Sequence, residues 1–333
     1  MVEMRTILTR FLRGFRRTAV FAITTRCNCR CYMCDIYKKP PRSIDLEDAK
    51  RVLRFLSENK FLIVYFTGGE PSLHPDIVEL VRYADQLGLV TSMTTNGTIS
   101  KRMIEKLKEA GLFLLSVSVD HWDANVCEKI KGHRGIKAKH EEAVRVSKEV
   151  GLRVHTLTFL GEHIVKGGVR RMVEYVNLKL GVPFGFCYPI QSGRDAYPLG
   201  EELTDEELSF QNLREAVREI LELKRRGYPI ANLGTYIEDI LRVHEGRAPN
   251  FYCKGGEDVV YIDWEGNVYP CFMKAKLFNI LEGDRARFLK NVRCNECFTN
   301  CFREPSILAQ IDAPHLLLKE MVYSFPTRRL FIG

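Results

Sequence analysis

The chain has 333 residues and a formal net charge of +8, and 45% of it is hydrophobic. That is enough for one large α/β domain and a smaller one, each with a real core. No apolar run approaches the roughly 18 residues that a membrane-spanning helix requires, and no apolar stretch follows the basic N-terminus as a secretory signal would. A cytoplasmic protein is therefore expected. Eleven cysteines at short spacings read as metal ligands rather than as a disulfide framework.

Residues 4–17 read MRTILTRFLRGFRR. Ile7, Leu8, Phe11, Leu12 and Phe15 recur on one helical face with arginines between them. Five arginines against Glu3 place half of the net charge in this leader of 17 residues. A helix of this kind packs on the protein body or lies on an anionic membrane surface.

Strand and helix patterns then alternate. Strands are expected over Thr18–Thr24, Phe61–Phe66, Leu89–Thr94, Phe113–Val119, Arg153–Phe159 and Val182–Tyr188. Helices are expected over Leu46–Glu58 (capped by Asp45), Asp76–Leu87, Lys101–Ala110, Lys137–Val150, Gly168–Leu180 and Thr204–Arg226 (capped by Thr204). Such alternation implies a parallel sheet. Its length and regularity suit a partial (β/α)6 barrel of the TIM type, over residues 18–230. After Gly227 glycine and cysteine increase and strands shorten, so residues 231–333 are read as a small cysteine-rich C-terminal domain and tail.

Four polar features follow four successive strands. The first is the loop of Cys27, Cys29, Cys31 and Cys34. The others are Gly68-Gly69-Glu70-Pro71, Asn96, and the pair Ser118 and Asp120. In a parallel barrel the loops after strands share one face, where active sites are built. Cys27, Cys31 and Cys34 stand at spacing C-x3-C-x2-C, which wraps one corner of an iron–sulfur cube and leaves one iron without a protein ligand. An open metal position belongs to a chemical site rather than a closed structural one. Gly68 and Gly69 let backbone approach a ligand, Glu70 brings a negative charge suited to an ammonium, and Pro71 fixes the turn.

The loop and the glycine turn together resemble the radical S-adenosylmethionine (SAM) superfamily, over roughly residues 18–305. The resemblance implies an enzyme whose [4Fe–4S] cluster, on Cys27, Cys31 and Cys34, binds SAM and cleaves it to a 5′-deoxyadenosyl radical. That radical then abstracts hydrogen from an unactivated C–H bond. In the family the GGEP turn contacts the SAM amino group. Asn96, Ser118 and Asp120 are similar in position to residues on the ribose and carboxylate, and Met33 to an adenine-packing residue. Cys29 is a non-ligand by this spacing alone. The implied reductant is a carrier such as a ferredoxin or flavodoxin. No nucleic acid is expected.

Cys253, Cys271, Cys294, Cys297 and Cys301 form a second group around a short hairpin, Val259–Asp263 and Asn267–Tyr269. It resembles the SPASM or twitch extension of the superfamily and implies one auxiliary [4Fe–4S] cluster. Cys253, Cys271, Cys294 and Cys297 are favoured as ligands, with Cys301 able to replace one; a zinc ribbon is the alternative. The leader and the apolar, basic run Pro314–Ile332 suggest a membrane visitor and a lipid-chain substrate. A peptide or protein, then a small metabolite, are the other substrates. A zinc-stabilised regulator is the reading outside enzymes.

Overall fold

The computed structural model describes residues 4–15, 17–190, 209–283, 289–290 and 292–309. The run Pro314–Ile332 and the Thr204 cap lie outside them. Helix α1 (Met4–Leu12) precedes β1 (Arg17–Thr24). Five units follow: α2 (Leu46–Glu58) and β2 (Phe61–Gly68), α3 (Ile77–Gln86) and β3 (Val90–Thr95), α4 (Lys101–Glu109) and β4 (Leu114–Ser118). The fourth carries two helices, α5 (Ala124–Lys131) and α6 (Ile136–Glu149), before β5 (Arg153–Phe159). The fifth has α7 (Glu162–Val165) and α8 (Val169–Glu174), which runs on as a π-helical stretch to Leu180, before β6 (Phe184–Cys187).

The six strands pair in parallel in sequence order, which is the expected open barrel. Strand β1 is buried at every residue but the first, as a strand covered on both faces must be. On β2 the burial alternates: Val64 and Phe66 pack outward under the helices, while Ile63, Tyr65 and Thr67 keep some exposure on the inner face. Asp45 caps α2 as expected, its side chain accepting from Asp48 N at 2.9 Å. The sixth long helix, α9 (Phe210–Arg225), starts within the expected Thr204–Arg226 and is capped by Ser209.

The sheet continues past residue 230. Strand β7 (Val259–Ile262) pairs in parallel with β1, and β8 (Asn267–Tyr269) and β9 (Phe278–Asn279) extend it antiparallel. Four helices were not expected from the sequence: α5 and α7, and, in the region read as losing helical period, α10 (Gly234–His244) and α11 (Asn300–Leu308). Helix α11 packs on β1 and β7. On its other side Glu304 accepts from Asn232 Nδ2 at 3.0 Å, and Asn232 in turn accepts from Phe186 N of β6 at 2.7 Å. Helix α11 therefore bridges the two sides of the barrel's open seam.

Helix α1 is docked at the other end of the barrel. Arg10 donates to the carbonyls of Leu87 and Gly88, just before β3 begins. Leu8 and Leu12 point outward, 58% and 70% exposed. Among the described residues no helix is long and apolar enough to cross a membrane.

Candidate functional site

The expected strand-end features do converge. The glycine turn is sewn to the end of β1: Gly69 N donates to Thr24 O and Glu70 N to Arg26 O, both at 2.7 Å. A Cβ on Gly68 would collide with the Thr24 carbonyl, and one on Gly69 with the Arg26 carbonyl. The glycines are thus demanded by the chain's own backbone, one residue before Cys27, where the sequence suggested a ligand's approach.

Glu70 is also turned inward. Fully buried, it accepts through Oε1 from Ser72 N, Ser72 Oγ and Thr95 Oγ1, and through Oε2 from Asn96 N at 2.7 Å. Burial raises its carboxyl, and these four bonds oppose that. The carboxylate locks β2's loop to β3's end. Asn96, thereby fixed, donates from Nδ2 to Asn28 Oδ1 at 2.8 Å and lies 3.9 Å from Cys27 Sγ.

The far side of the cysteine loop rests on α5. Arg30 N donates to Lys131 O at 2.8 Å and Tyr32 N to Ile130 O at 3.2 Å. Lys131 itself is buried. Its ammonium pairs with Asp120 Oδ2 at 2.7 Å and donates to Ser118 Oγ at 2.8 Å. Burial alone would lower this lysine; Asp120 and Cys31 more than reverse that, so it stays charged. Asp120 also accepts from Phe159 N at 2.8 Å. Ser118 and Asp120 were read from the sequence, but Lys131 was missed. The signal was there: Asp123 caps α5 and Gly132 ends it in the left-handed region, which makes a helix delivering Lys131 to the mouth.

Cys34 N donates to Cys31 O at 3.1 Å, closing the loop. Burial raises the Cys27 thiol, and raises Cys31 to about 11 and Cys34 to about 12. Cys29 is 1% exposed and packs with Cys127 and Ile136. Met33 is buried against Ile130, Val126 and Phe159. A cavity of about 550 Å³ opens beside Cys27, Asn28, Arg30, Tyr37, Lys38 and Gly132. Three soft thiols, room and a basic rim fit an anionic iron–sulfur group.

In the C-terminal region Cys253 N donates to Cys294 O at 2.9 Å, and the two thiols are coupled: their shared hydrogen bond raises Cys253 and lowers Cys294 to about 6. Burial lifts Cys271 to about 11, and the neighbouring Cys297 and Cys294 add to this. Arg303, buried and paired with Asp239, donates to Asn295 Oδ1 at 2.8 Å and holds the Cys294–Cys297 loop. Cys301, on α11, packs with Cys294 against the cluster that contains Cys253 and Cys271. Among the described residues no three His, Cys, Asp or Glu side chains are gathered closely enough to share one metal ion.

Residues 21–176 match the family model described as the Radical SAM superfamily. The "Fe-coproporphyrin III synthase" of Methanosarcina barkeri is 28% identical over 233 residues, which is 67% of this chain and 56% of that protein. The "PqqA peptide cyclase" of Rhodopseudomonas palustris is 31% identical over 143 residues, 42% of this chain and 38% of that one. The chain thus spans about half or less of the length of these curated relatives. SuiB of Streptococcus suis bound to S-adenosylmethionine superposes with a TM-score of 0.66 at 18% identity, covering 87% of this chain and 70% of SuiB, and shares the fold. With its strand-end cysteine loop, GGEP turn and parallel half-barrel, the chain carries a radical SAM domain over residues 21–176.

Proposed function

We propose that this enzyme uses a 5′-deoxyadenosyl radical to abstract hydrogen from an unactivated C–H bond in a polar substrate, a peptide or protein. When bound, the [4Fe–4S] cluster and SAM supply that radical. Cys27, Cys31 and Cys34 would hold the cluster. Asn96, Ser118, Asp120 and Lys131 stand where they can orient SAM. The GGEP turn adjoins the cysteine loop, its Glu70 carboxylate engaged with Thr95 and Asn96, and Met33 packs with Ile130 beneath that loop's contact with α5.

The inner face of the barrel carries the substrate reading. Tyr65 shares its hydroxyl with Ser116 and Thr94, and Ser116 Oγ lies 2.8 Å from His155 Nε2. Burial lowers His155 to about 4, so the ring is neutral and serves as a hydrogen-bonding wall. These groups already partner one another, and the polar face they make suits an amide-bearing substrate better than an acyl chain. The names of the Rhodopseudomonas relative and of SuiB's own peptide complex agree with a peptide.

The lipid-chain expectation finds no support here. Its main argument was the leader, and α1 docks at the end of the barrel opposite the cysteine loop. A membrane under Leu8, Leu12, Arg5 and Arg13 would locate the protein without presenting a lipid to the site. A tetrapyrrole is the second reading, favoured by the Methanosarcina match, which runs beyond the family domain.

Cys253, Cys271, Cys294 and Cys297 are the ligand set we assign to an auxiliary [4Fe–4S] cluster in a SPASM- or twitch-like unit over residues 231–333. The reductant is an acidic one-electron carrier of the ferredoxin or flavodoxin kind, suited to Arg26 and Arg30, which are exposed beside the loop. The test is anaerobic incubation with SAM, reductant and separated peptide, lipid and iron-coproporphyrin fractions, followed by mass spectrometry. A SAM-dependent mass change in peptides supports the reading. A change confined to lipid or porphyrin sinks it.

A further inference from the structure

Five acidic side chains are buried among the described residues: Asp35, Glu70, Asp120, Asp239 and Asp263. Four of them accept well-formed hydrogen bonds. Glu70 has the four described above. Asp120 accepts from Phe159 N, Asp239 from Asn250 N, and Asp263 from Asn267 N and Tyr269 Oη. Asp35 is the exception. Both of its carboxylate oxygens are buried, and among the described residues neither meets a donor in hydrogen-bonding geometry. Lys38 Nζ, 2.6 Å from Oδ1, is an ion partner rather than an aligned donor.

No structural task accounts for this carboxylate. Asp35 stands at the N-cap of the short 3-10 turn Ile36–Lys38, where an Asp side chain ordinarily accepts from the first amides of the turn. It makes no such bond. Asp35 follows Cys34 directly, so the two Cα atoms are about 3.8 Å apart. The turn also folds back on that thiol. Ile36 N donates to Cys34 Sγ, and Ile36 is buried in the apolar group against which Cys27 and Cys34 pack. Lys38 is 44% exposed and lines the cavity beside Cys27. Solvent and salt screen its charge; they do not screen the charge of Asp35. A buried carboxylate without donors is costly to keep, and its field on the neighbouring loop is undiminished.

We propose that the Asp35 carboxylate sets the reduction potential of the cluster held on Cys27, Cys31 and Cys34, and keeps it low, with Lys38 as a partial counterweight. The inference rests on the radical SAM reading and goes beyond it by naming the residue that tunes the cluster. The physics is Coulombic. A fixed negative charge disfavours adding an electron to a neighbouring group. Net charge and hydrogen bonds to the sulfurs set an iron–sulfur potential. The Ile36 N–H bond to Cys34 raises it, and Asp35 opposes that. A low potential makes the reduced cluster a stronger electron donor, which breaking a sulfonium C–S bond requires.

The reconstituted holoenzyme is titrated anaerobically and its midpoint read by electron paramagnetic resonance. The SAM-binding cluster is the one whose signal changes when SAM is added. Asp35→Asn keeps the shape and removes the charge. Its midpoint should rise by on the order of tenfold in the reduction equilibrium, which for one electron is about 59 mV. Asp35→Glu should restore the low value. Lys38→Met should lower the midpoint by less, and high salt should shrink the Lys38 difference but not the Asp35 difference. A midpoint in Asp35→Asn equal to or below that of wild type overturns the proposal. If that variant holds no iron, Lys38→Met decides, and a midpoint there that stays or rises overturns it as well. The cluster-free protein supplies a second readout. A charge kept for the cluster does not hold the fold, so Asp35→Asn should melt no lower than wild type. A fall of many degrees would make the ion pair a structural brace and refute the inference. If no wild-type signal responds to SAM, the radical SAM reading falls and this inference with it.

Discussion

Glu70 Oε2 accepts a hydrogen bond from Asn96 N at 2.7 Å, and through that bond the turn after β2 fixes the residue that reaches Cys27. The carboxylate has four donors facing it. Replacing it with Gln would turn an amide N–H toward at least one of them. An unsatisfied buried group costs about 1–3 kcal/mol, so Glu70→Gln should lower unfolding free energy by about that much in urea titrations. Iron retention should fall with it. A variant with an unchanged midpoint would show that the network does not hold the turn.

The cysteine loop makes a sharper distinction. Anaerobically reconstituted wild type should hold about eight irons, four per cluster. Cys27→Ala, Cys31→Ala and Cys34→Ala should each abolish SAM cleavage. Cys29→Ala should spare it, since that thiol faces Cys127 and Ile136. Loss of cleavage in the Cys29 variant equal to the other three would reverse the ligand assignment.

In the C-terminal region, changing both Cys253 and Cys271 to alanine should remove about half the iron, one cluster of two, without stopping SAM cleavage. Cys301→Ser should keep full iron, because the other four cysteines complete the cluster in the ligand set assigned above. Elemental analysis checks both. Zinc bound at the four cysteines of reconstituted protein would favour a zinc ribbon over a cluster.

The leader can be tested apart from catalysis. Leu8→Asp with Leu12→Asp removes exposed apolar surface and touches no core contact. Co-sedimentation with anionic liposomes at low salt should fall, while melting temperature and SAM cleavage stay unchanged. Arg10→Ala should instead lower the melting temperature, because it breaks the bonds to Leu87 and Gly88. Unchanged liposome binding in the double variant would remove the membrane contact.

His140 supplies a pH dependence. Its buried ring lies 3.1 Å from Asn96 O, and burial, aided by the charge of Lys131, lowers it to about 3 from 6.5. The unfolded chain binds that proton first. Stability from the neutral ring is therefore complete above pH 6.5 and is lost as pH falls from there toward 3. Compared with wild type, His140→Gln should show a shallower decline of unfolding free energy across that window. Parallel pH profiles for the two proteins would mean the ring is not held neutral.

Much of this was legible in the sequence because it depends on local pattern. The β–α alternation, the Asp45 cap and the order of the barrel strands follow from apolar period and capping residues that act over a few positions. The cysteine spacing and GGEP turn were equally readable, since a short loop restricts which thiols can reach one cluster. What the sequence did not reveal depends on partners far apart in the chain. Gly68 and Gly69 look like a ligand's cradle until Thr24 and Arg26 are seen filling that space. Glu70 looks like a free charge until Ser72, Thr95 and Asn96 surround it. Lys131 is one cation among 50 basic residues, and only burial against Asp120 singles it out. Spacing favoured Cys253, Cys271, Cys294 and Cys297 among the five C-terminal cysteines and left Cys301 able to replace one. Packing of α11 on β1 and β7 brought Cys301 to the cluster that contains Cys253 and Cys271, because a short helix buries its apolar face on whichever strands the fold sets beneath it.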